Sequence, residues 1–524
     1  MRTANVRERV PLTTVEAAVF VSGVTSMGLE ILAGRIIAPQ FGNSIYTWGT
    51  IIGVFLAALS LGYHYGGKRA AVNASSERLA GLMLGTAAYV AVLIVASDVL
   101  VRSTIAFPLP SRFASLPAVT VLFGPPTYLL GFVSPYGAEL CRKESVGEAS
   151  GHVYALGTVG SIVGAFGTTY FLIPALTVNQ IAFVFGLLLV AMAVGLTLPR
   201  SGRRPAVAAG AVALLLVGAV ASGPAGIAIE GQIVHQEGTP YQELQVVDRG
   251  DTRTLYLDGH PHSAMYTDDP DRHVFDYTRY FHVPFLAADD PDDIDRVLFI
   301  GGGGFTGPKQ FVDQYDVTVD VVEIDPAVID AAKEYFGVEE SDSLSIYNTD
   351  GRRFLRETDN TYDLIVLDAY KKDKVPFQMT TREFMQLASN RLSAEGMLLA
   401  NLISAPDGQA SRFYRAEYKT MDRVFPHVYS FPTVGSAVVQ NIEVLATKDG
   451  TLLTEEELLE RNDRRDIGID LQEAVADYGR SPDTDDVPLL SDDHAPVDSL
   501  LDPMVGQRYV VQETEESETG ATAD

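Results

Sequence analysis

Seven apolar runs fill the first 225 residues, near 15–38, 46–66, 79–100, 115–138, 153–174, 177–198 and 205–223. Each is close to the roughly 20 residues that a helix needs to cross the hydrocarbon of a bilayer. Span follows span with no small-residue cleavage pattern after the first, which argues against a cleaved signal peptide. After Gly223-Pro224 the pattern changes. The stretch QELQVVDRGDTRTLYLDG (242–259) alternates and turns like a β-hairpin, with Asp258-Gly259 as a turn signal. A helical pattern over 272–286 carries Tyr277 and Tyr280. Strands then alternate with helices. RVLFIGGGG leads into a helix at 306–314, and VTVDVVEID into PAVIDAAKEYFG, opened by Pro326 and closed by Gly337. LSIYNTDG leads into a helix at 352–357, YDLIVLDAY into one at 381–392, and GMLLANLI follows.

That alternation predicts a doubly wound parallel sheet, an α/β Rossmann-like fold. From about 476 onward the chain is acidic and poor in core-forming residues, so a largely disordered tail is expected. The expected organisation is an α-helical multispan membrane domain (1–225), a small preceding β-domain (226–270), a Rossmann-like catalytic domain (271–475) and the tail (476–524).

Charge divides the 524 residues at the same place. Residues 1–225 hold 14 basic and 8 acidic side chains, whereas the remainder hold 25 basic and 59 acidic ones. The acids of the second half are scattered, as in a solvating coat adapted to high salt. Nucleic acid is excluded as a partner, because phosphate binding needs a basic footprint. Cys141 is the only cysteine, which excludes intrachain disulfides and cysteine zinc sites. No metal-ligand spacing is present.

Basic residues cluster at the N-terminus (Arg2, Arg7, Arg9) and in alternate loops (Lys68, Arg69 and Arg78; Arg142 and Lys143; Arg200, Arg203 and Arg204). The intervening loops hold only Arg102 and Arg112. The positive-inside rule places the N-terminus in the cytoplasm, and seven full spans would then leave the second half outside. The expected location is nonetheless the cell membrane with the second half on the cytoplasmic side. Glu30 and Arg35 lie in or near the first run, where ionisable groups are costly and often functional. They stand about 140° apart around a helix, and neutralisation by another helix or reach to an interface accounts for each.

In an open parallel sheet, ligands bind beyond the carboxyl ends of the strands, where the strand order switches direction. Gly301, Gly302 and Gly303 end the first strand and let a nucleoside approach the backbone. Glu323 ends the second, where an acid can accept both ribose hydroxyls. Asp350 and Gly351 end the third, offering a carboxylate and an N–H to the amino edge of adenine. Asp368 ends the fourth and faces whatever reacts. GGGGFTG can be forced onto the dinucleotide glycine pattern, but the later Asp-Gly and VLDAY elements belong to another arrangement.

LFIGGGG (298–304), VVEIDPAVIDAAKEYF (321–336), NTDGRRFL (348–355), YDLIVLDAY (362–370) and TTREFMQLASNRLSAEGMLLANL (380–402) together resemble the spermidine synthase family of polyamine aminopropyltransferases, over roughly 240–445. LLSDDHAPVDSLL (489–501) and the apolar half resemble the branch of that family fused to multispan domains. The resemblance implies a class I methyltransferase-like sheet preceded by a small β-domain. It implies transfer of an aminopropyl group from decarboxylated S-adenosylmethionine to putrescine or a related small-molecule amine, leaving methylthioadenosine. It further implies that Gln242 contacts the nucleoside, Glu323 holds the ribose, and Asp350 and Gly351 hold adenine. Pro376 would line the nucleoside site, Tyr277 would lie near the amine acceptor, and Asp368 would accept the proton. Soluble relatives commonly pair as homodimers.

The chain departs from the family pattern in three places. Thr278 replaces a histidine, Gly304 replaces the acid after GGG, and Lys371 replaces a second acid three residues beyond the catalytic one. The first acid would bind the free amine of the aminopropyl arm and repel the carboxylate of ordinary S-adenosylmethionine. Asp258 and Asp373 are the carboxylates offered in substitution. Methyl transfer from S-adenosylmethionine is therefore the second reading, and a non-catalytic membrane sensor or transporter the third.

Overall fold

The computed structural model describes residues 13–514, apart from 43, 106–108, 142–144, 199–202, 223–230, 271, 373, 435, 451 and 480. Arg2, Arg7, Arg9, Arg142, Lys143, Arg200, the Gly223-Pro224 boundary, Asp373 and the residues after 514 lie outside the described residues. The chain divides into two units, Met1–Ala228 and Ile229–Asp524.

The first unit is helical: α1 (Thr14–Phe41), α2 (Ile45–Asn73), α3 (Ser76–Ile105), α4 (Leu116–Gly131), α5 (Val133–Leu140), α6 (Val146–Gly167), α7 (Val178–Thr197) and α8 (Arg203–Ser222). Local chemistry sets several starts. Thr13 with Glu16 and Thr177 with Gln180 form reciprocal capping boxes at α1 and α7, satisfying backbone N–H groups that the helix leaves open. Gly160 and Gly164 of α6 lie against the backbone of Phe20 and Val24 in α1, so close that a Cβ would stand 2.2–2.3 Å from their carbonyl oxygens. Only glycine permits that approach, the packing device favoured where lipid removes the hydrophobic drive between helices. Large apolar side chains such as Leu56, Phe171 and Leu214 face outward.

Among the described residues six spans are long and apolar enough to cross a membrane, with Leu116–Leu140 counted as one. Seven were expected. The run at 205–223 falls in α8, within which Pro205–Ala221 is a shorter apolar helix.

The second unit opens with a four-stranded antiparallel sheet: β1 (Gln232–Gly238), β2 (Glu243–Arg249), β3 (Thr252–Leu257) and β4 (His260–Tyr266). Asp258 (φ 53°) and Gly259 (φ 77°) turn β3 into β4, the double positive-φ turn that suits the twist of a hairpin. The hairpin expected over 242–259 forms from β2 and β3, turning at Gly250 and Asp251, and Asp258-Gly259 makes the next turn. The pattern at 272–286 folds as a 3-10 helix, Asp276–His282, followed by a short α-helix, Val283–Ala287.

The larger sheet has seven strands: β5 (Arg296–Ile300), β6 (Thr318–Glu323), β7 (Leu344–Asn348), β8 (Tyr362–Leu367), β9 (Leu392–Ser404), β10 (His427–Pro432) and β11 (Gln440–Thr447). Their order is β10-β11-β9-β8-β5-β6-β7. Six strands run in one direction and β11 alone runs against them, antiparallel to both β9 and β10, so the sheet is mixed. The chain leaves β5 toward β6 and β7, then returns to β8 on the other side of β5. The carboxyl ends of β5 and β8 are therefore the switch point.

The described residues between 477 and 514 are packed, not disordered. Val487, Leu490, Val497, Leu500, Leu501 and Met504 are buried, and Val510 N–H donates to Val439 O at 2.9 Å. These apolar residues are sparse, but each reaches the core beside helix Arg412–Asp422 and the sheet. Asp492 pins the segment by accepting from both terminal nitrogens of Arg352 (2.8 and 2.6 Å) and from Thr381 Oγ1 (2.7 Å). Arg352→Met keeps the buried stem and removes the fork. Asp492 is half-exposed and regains water, so the expected cost is about 2 kcal/mol. It should appear as an apparent Tm lower by roughly 5 °C and faster proteolysis near the C-terminus.

Candidate active site

Gly301 follows β5 with φ 101°, and Gly303 has φ 51°. The Gly301 N–H donates to Val322 O and the Asp368 N–H to Ile300 O, each at 2.9 Å, so the parallel ladder continues into the loops beyond β5 and β8. A Cβ on Gly301 would lie 2.2 Å from the Asp368 carbonyl oxygen. This contact sets the acid beside the glycine turn.

Glu323 ends β6 buried. Its Oε2 accepts from Gly302 N–H at 3.0 Å and its Oε1 from Asp325 N–H at 2.9 Å. Burial raises its pKa, opposed by those backbone donors. Each carboxylate oxygen retains a further lone pair for a hydroxyl. Asp350 caps helix Gly351–Glu357, accepting from Arg353 N–H at 2.8 Å. A Cβ on Gly351 would meet Ile300 at 2.4 Å and Met379 Sδ at 3.6 Å. The turn after Pro376 is thereby packed on Gly351, and Arg352 Nη1 ties it down through Gln378 O at 2.9 Å.

Gln242 is held between two partners. Its Nε2 donates to Asp325 Oδ2 at 3.1 Å, and its Oε1 accepts from Lys371 Nζ. Lys371 also pairs with Asp258 at 3.4 Å, and Asp258 accepts from Glu243 N–H at 2.9 Å. The lysine thus points toward Gln242 and Asp258, and Asp258 is already committed. Where the family acid would stand, Gly304 N–H donates to Ser263 Oγ at 2.8 Å, and Ser263 and Phe336 fill the space of a side chain.

Asp368 is half-buried, and burial pushes its pKa up to about 6, opposed by the hydrogen bond from Asn401 Nδ2 at 2.9 Å. Asn401 in turn accepts from Asn441 Nδ2 (2.7 Å), and Asn441 accepts from Tyr509 OH (2.6 Å). Tyr277 is buried, and its hydroxyl donates to His262 O at 2.9 Å. Burial, then the charge of Asp368, holds that phenol neutral.

The expected residues thus gather at the carboxyl ends of β5, β6, β7 and β8. Reading the sequence missed Asn401, Asn441, Tyr509 and Glu443. Glu443 carried a signal, being the one charge within the apolar strand QNIEVLAT. Tyr509 carried none, since it lies in the stretch taken for a tail.

A family model, the spermine/spermidine synthase domain, matches residues 276–434. The chain is 30% identical over 211 residues to a polyamine aminopropyltransferase of Vibrio vulnificus, covering 38% of this chain and 68% of that one. It is 28% identical over 224 residues to a polyamine aminopropyltransferase of Chromobacterium violaceum, covering 42% and 81% respectively. The crystal structure of spermidine synthase from Thermotoga maritima superposes with a TM-score of 0.39 at 18% identity, over 48% of this chain and 85% of that one. With its glycine turn, strand-end acids and this kinship in one stretch of chain, the protein belongs to the spermine/spermidine synthase family and is a transferase.

Proposed function

We propose that the protein is a membrane-held polyamine aminopropyltransferase that moves the aminopropyl group of decarboxylated S-adenosylmethionine to putrescine or a related amine. The observation that carries this reading is Asp368 at the switch point, oriented by Asn401 and set against the Gly301 turn. The glycine turn, Glu323, Asp350 and the Pro376 turn form a nucleoside cradle. Gln242 closes it beside Lys371. The methylene next to the sulfonium is already activated, so the protein's main task is to hold an amine in line with it. The amine nitrogen forms the new carbon–nitrogen bond as the carbon–sulfur bond breaks, its electron pair returning to sulfur. The surplus proton on nitrogen passes to Asp368.

Lys371 and Gly304 favour a second reading. A cation at 371 and no acid at 304 suit the carboxylate of ordinary S-adenosylmethionine, and hence methyl transfer. Calorimetry on the full chain separates the two. Tighter binding of the decarboxylated compound supports aminopropyl transfer, and tighter binding of the ordinary one supports methyl transfer. Binding of neither would point to a sensor or transporter.

The membrane reading rests on the six long apolar helices with outward-facing apolar side chains. Six spans return the chain to the side on which it starts. With a basic N-terminus inside, the catalytic unit is cytoplasmic, where its co-substrate is made. Protease added to sealed, right-side-out cells should leave that unit intact, and its digestion would place it outside.

A further inference from the structure

Glu443 sits in the middle of β11, paired in register with Asn401 on β9 and with Phe431 on β10. It is fully buried, and neither carboxylate oxygen finds a hydrogen-bond partner among the described residues. Its cross-strand neighbour Asn401 is the residue that holds Asp368. Paired residues lie about 5 Å apart at Cβ, so the Glu443 carboxyl is one side chain away from the proton acceptor. The charged and titratable groups that feel it are Asp368 at the end of β8, Tyr277 on the 3-10 helix and Tyr509 on the C-terminal segment.

A buried carboxyl with both oxygens unpaired is costly, and a stable fold retains one chiefly where a ligand completes it. A cation is the ligand that a second carboxylate beside Asp368 would attract. The other sequence candidates for this task are spent or outside the described residues: Lys371 stands where an acid was expected, and Asp258 pairs with Lys371.

We infer that Glu443 anchors a second ammonium group of the amine acceptor, so that this site selects a diamine or longer polyamine over a monoamine. The inference rests on the aminopropyltransferase reading. Asp368 then faces the attacking nitrogen and Glu443 the distant one. Burial pushes the Glu443 carboxyl pKa well up, and an ammonium placed beside it favours the carboxylate that pairs with it.

The test compares the full-length protein with its Glu443→Gln and Glu443→Leu variants. The donor is decarboxylated S-adenosylmethionine, and the acceptors are 1,4-diaminobutane and 1-aminobutane. For the diamine, KM should rise about 10–100-fold in both variants, as for one lost charge-assisted hydrogen bond, with kcat changed only a few-fold. Monoamine parameters should stay the same. Glu443→Leu removes a buried carboxyl, so its thermal transition should match or exceed that of the unaltered protein, which separates lost recognition from lost folding. Preference for the diamine undiminished in both variants overturns the inference while leaving the transferase reading intact. If the unaltered protein turns over no amine, that reading fails, and calorimetry with the two amines judges Glu443 alone. Tighter diamine binding that Glu443→Gln abolishes sustains the anchor, and equal binding overturns it.

Discussion

On the aminopropyltransferase reading, Asp368→Asn should lower kcat by about 10²–10⁴-fold while changing affinity for the adenosyl compound only a few-fold. The amide matches the carboxylate in size but cannot take a proton from the amine as the carbon–nitrogen bond forms. Cradle contacts from Glu323 and the glycine turn stay in place, so binding survives the substitution. The pH profile carries the same signature. Burial raises the Asp368 pKa to about 6, and only the ionised form accepts a proton. Activity of the unaltered protein should therefore rise as pH passes upward through about 6, and the residual rate of the variant should lack that limb. Stopped assays across pH 5–8, with calorimetry on both proteins, read these outcomes. Loss of adenosyl binding in step with turnover would assign Asp368 to the cradle instead.

Gly301→Ala should destabilise the catalytic unit by at least about 3 kcal/mol and abolish activity. Two costs add there. A φ of 101° is poorly tolerated by any residue with a side chain, at about 1–3 kcal/mol. The added Cβ would also stand 2.2 Å from the Asp368 carbonyl oxygen, so one of the two central strand ends must give way. Gly337→Ala is the control. Gly337 also has a positive φ, 65°, but no atom stands within 4 Å of the Cβ position, so only the backbone term of about 1 kcal/mol remains. Thermal melting of both variants separates conformational strain from collision. Equal losses would mean that crowding against Asp368 counts for nothing.

The strand ends were legible because β5, β6 and β8 are short apolar runs stopped by glycine or acid, a pattern with one period and clear punctuation. Gly301, Glu323, Asp350 and Asp368 could be placed from that punctuation alone. The β10–β11 hairpin was not legible. β11 is buried on both faces, so it shows no alternation, and Glu443 looks like an interruption rather than a site. The segment after 476 was misread because disorder is judged from average composition. Val487, Leu490 and Leu500 are few, yet each fills a specific hollow, and Arg352 neutralises Asp492 from 140 residues away. The direction of Lys371 was equally hidden, since nothing local to DAYKKDK states whether a side chain turns toward Gln242 or toward water.

The relay Tyr509–Asn441–Asn401–Asp368 has a consequence for biosynthesis. The motifs between 298 and 402 are made long before residue 509, and the sheet can begin to assemble during synthesis. Asp368 receives its full set of supports only when the segment around Tyr509 docks. A bulky reporter inserted close behind Tyr509 should therefore disturb the Asp368 side chain although it lies more than a hundred positions downstream.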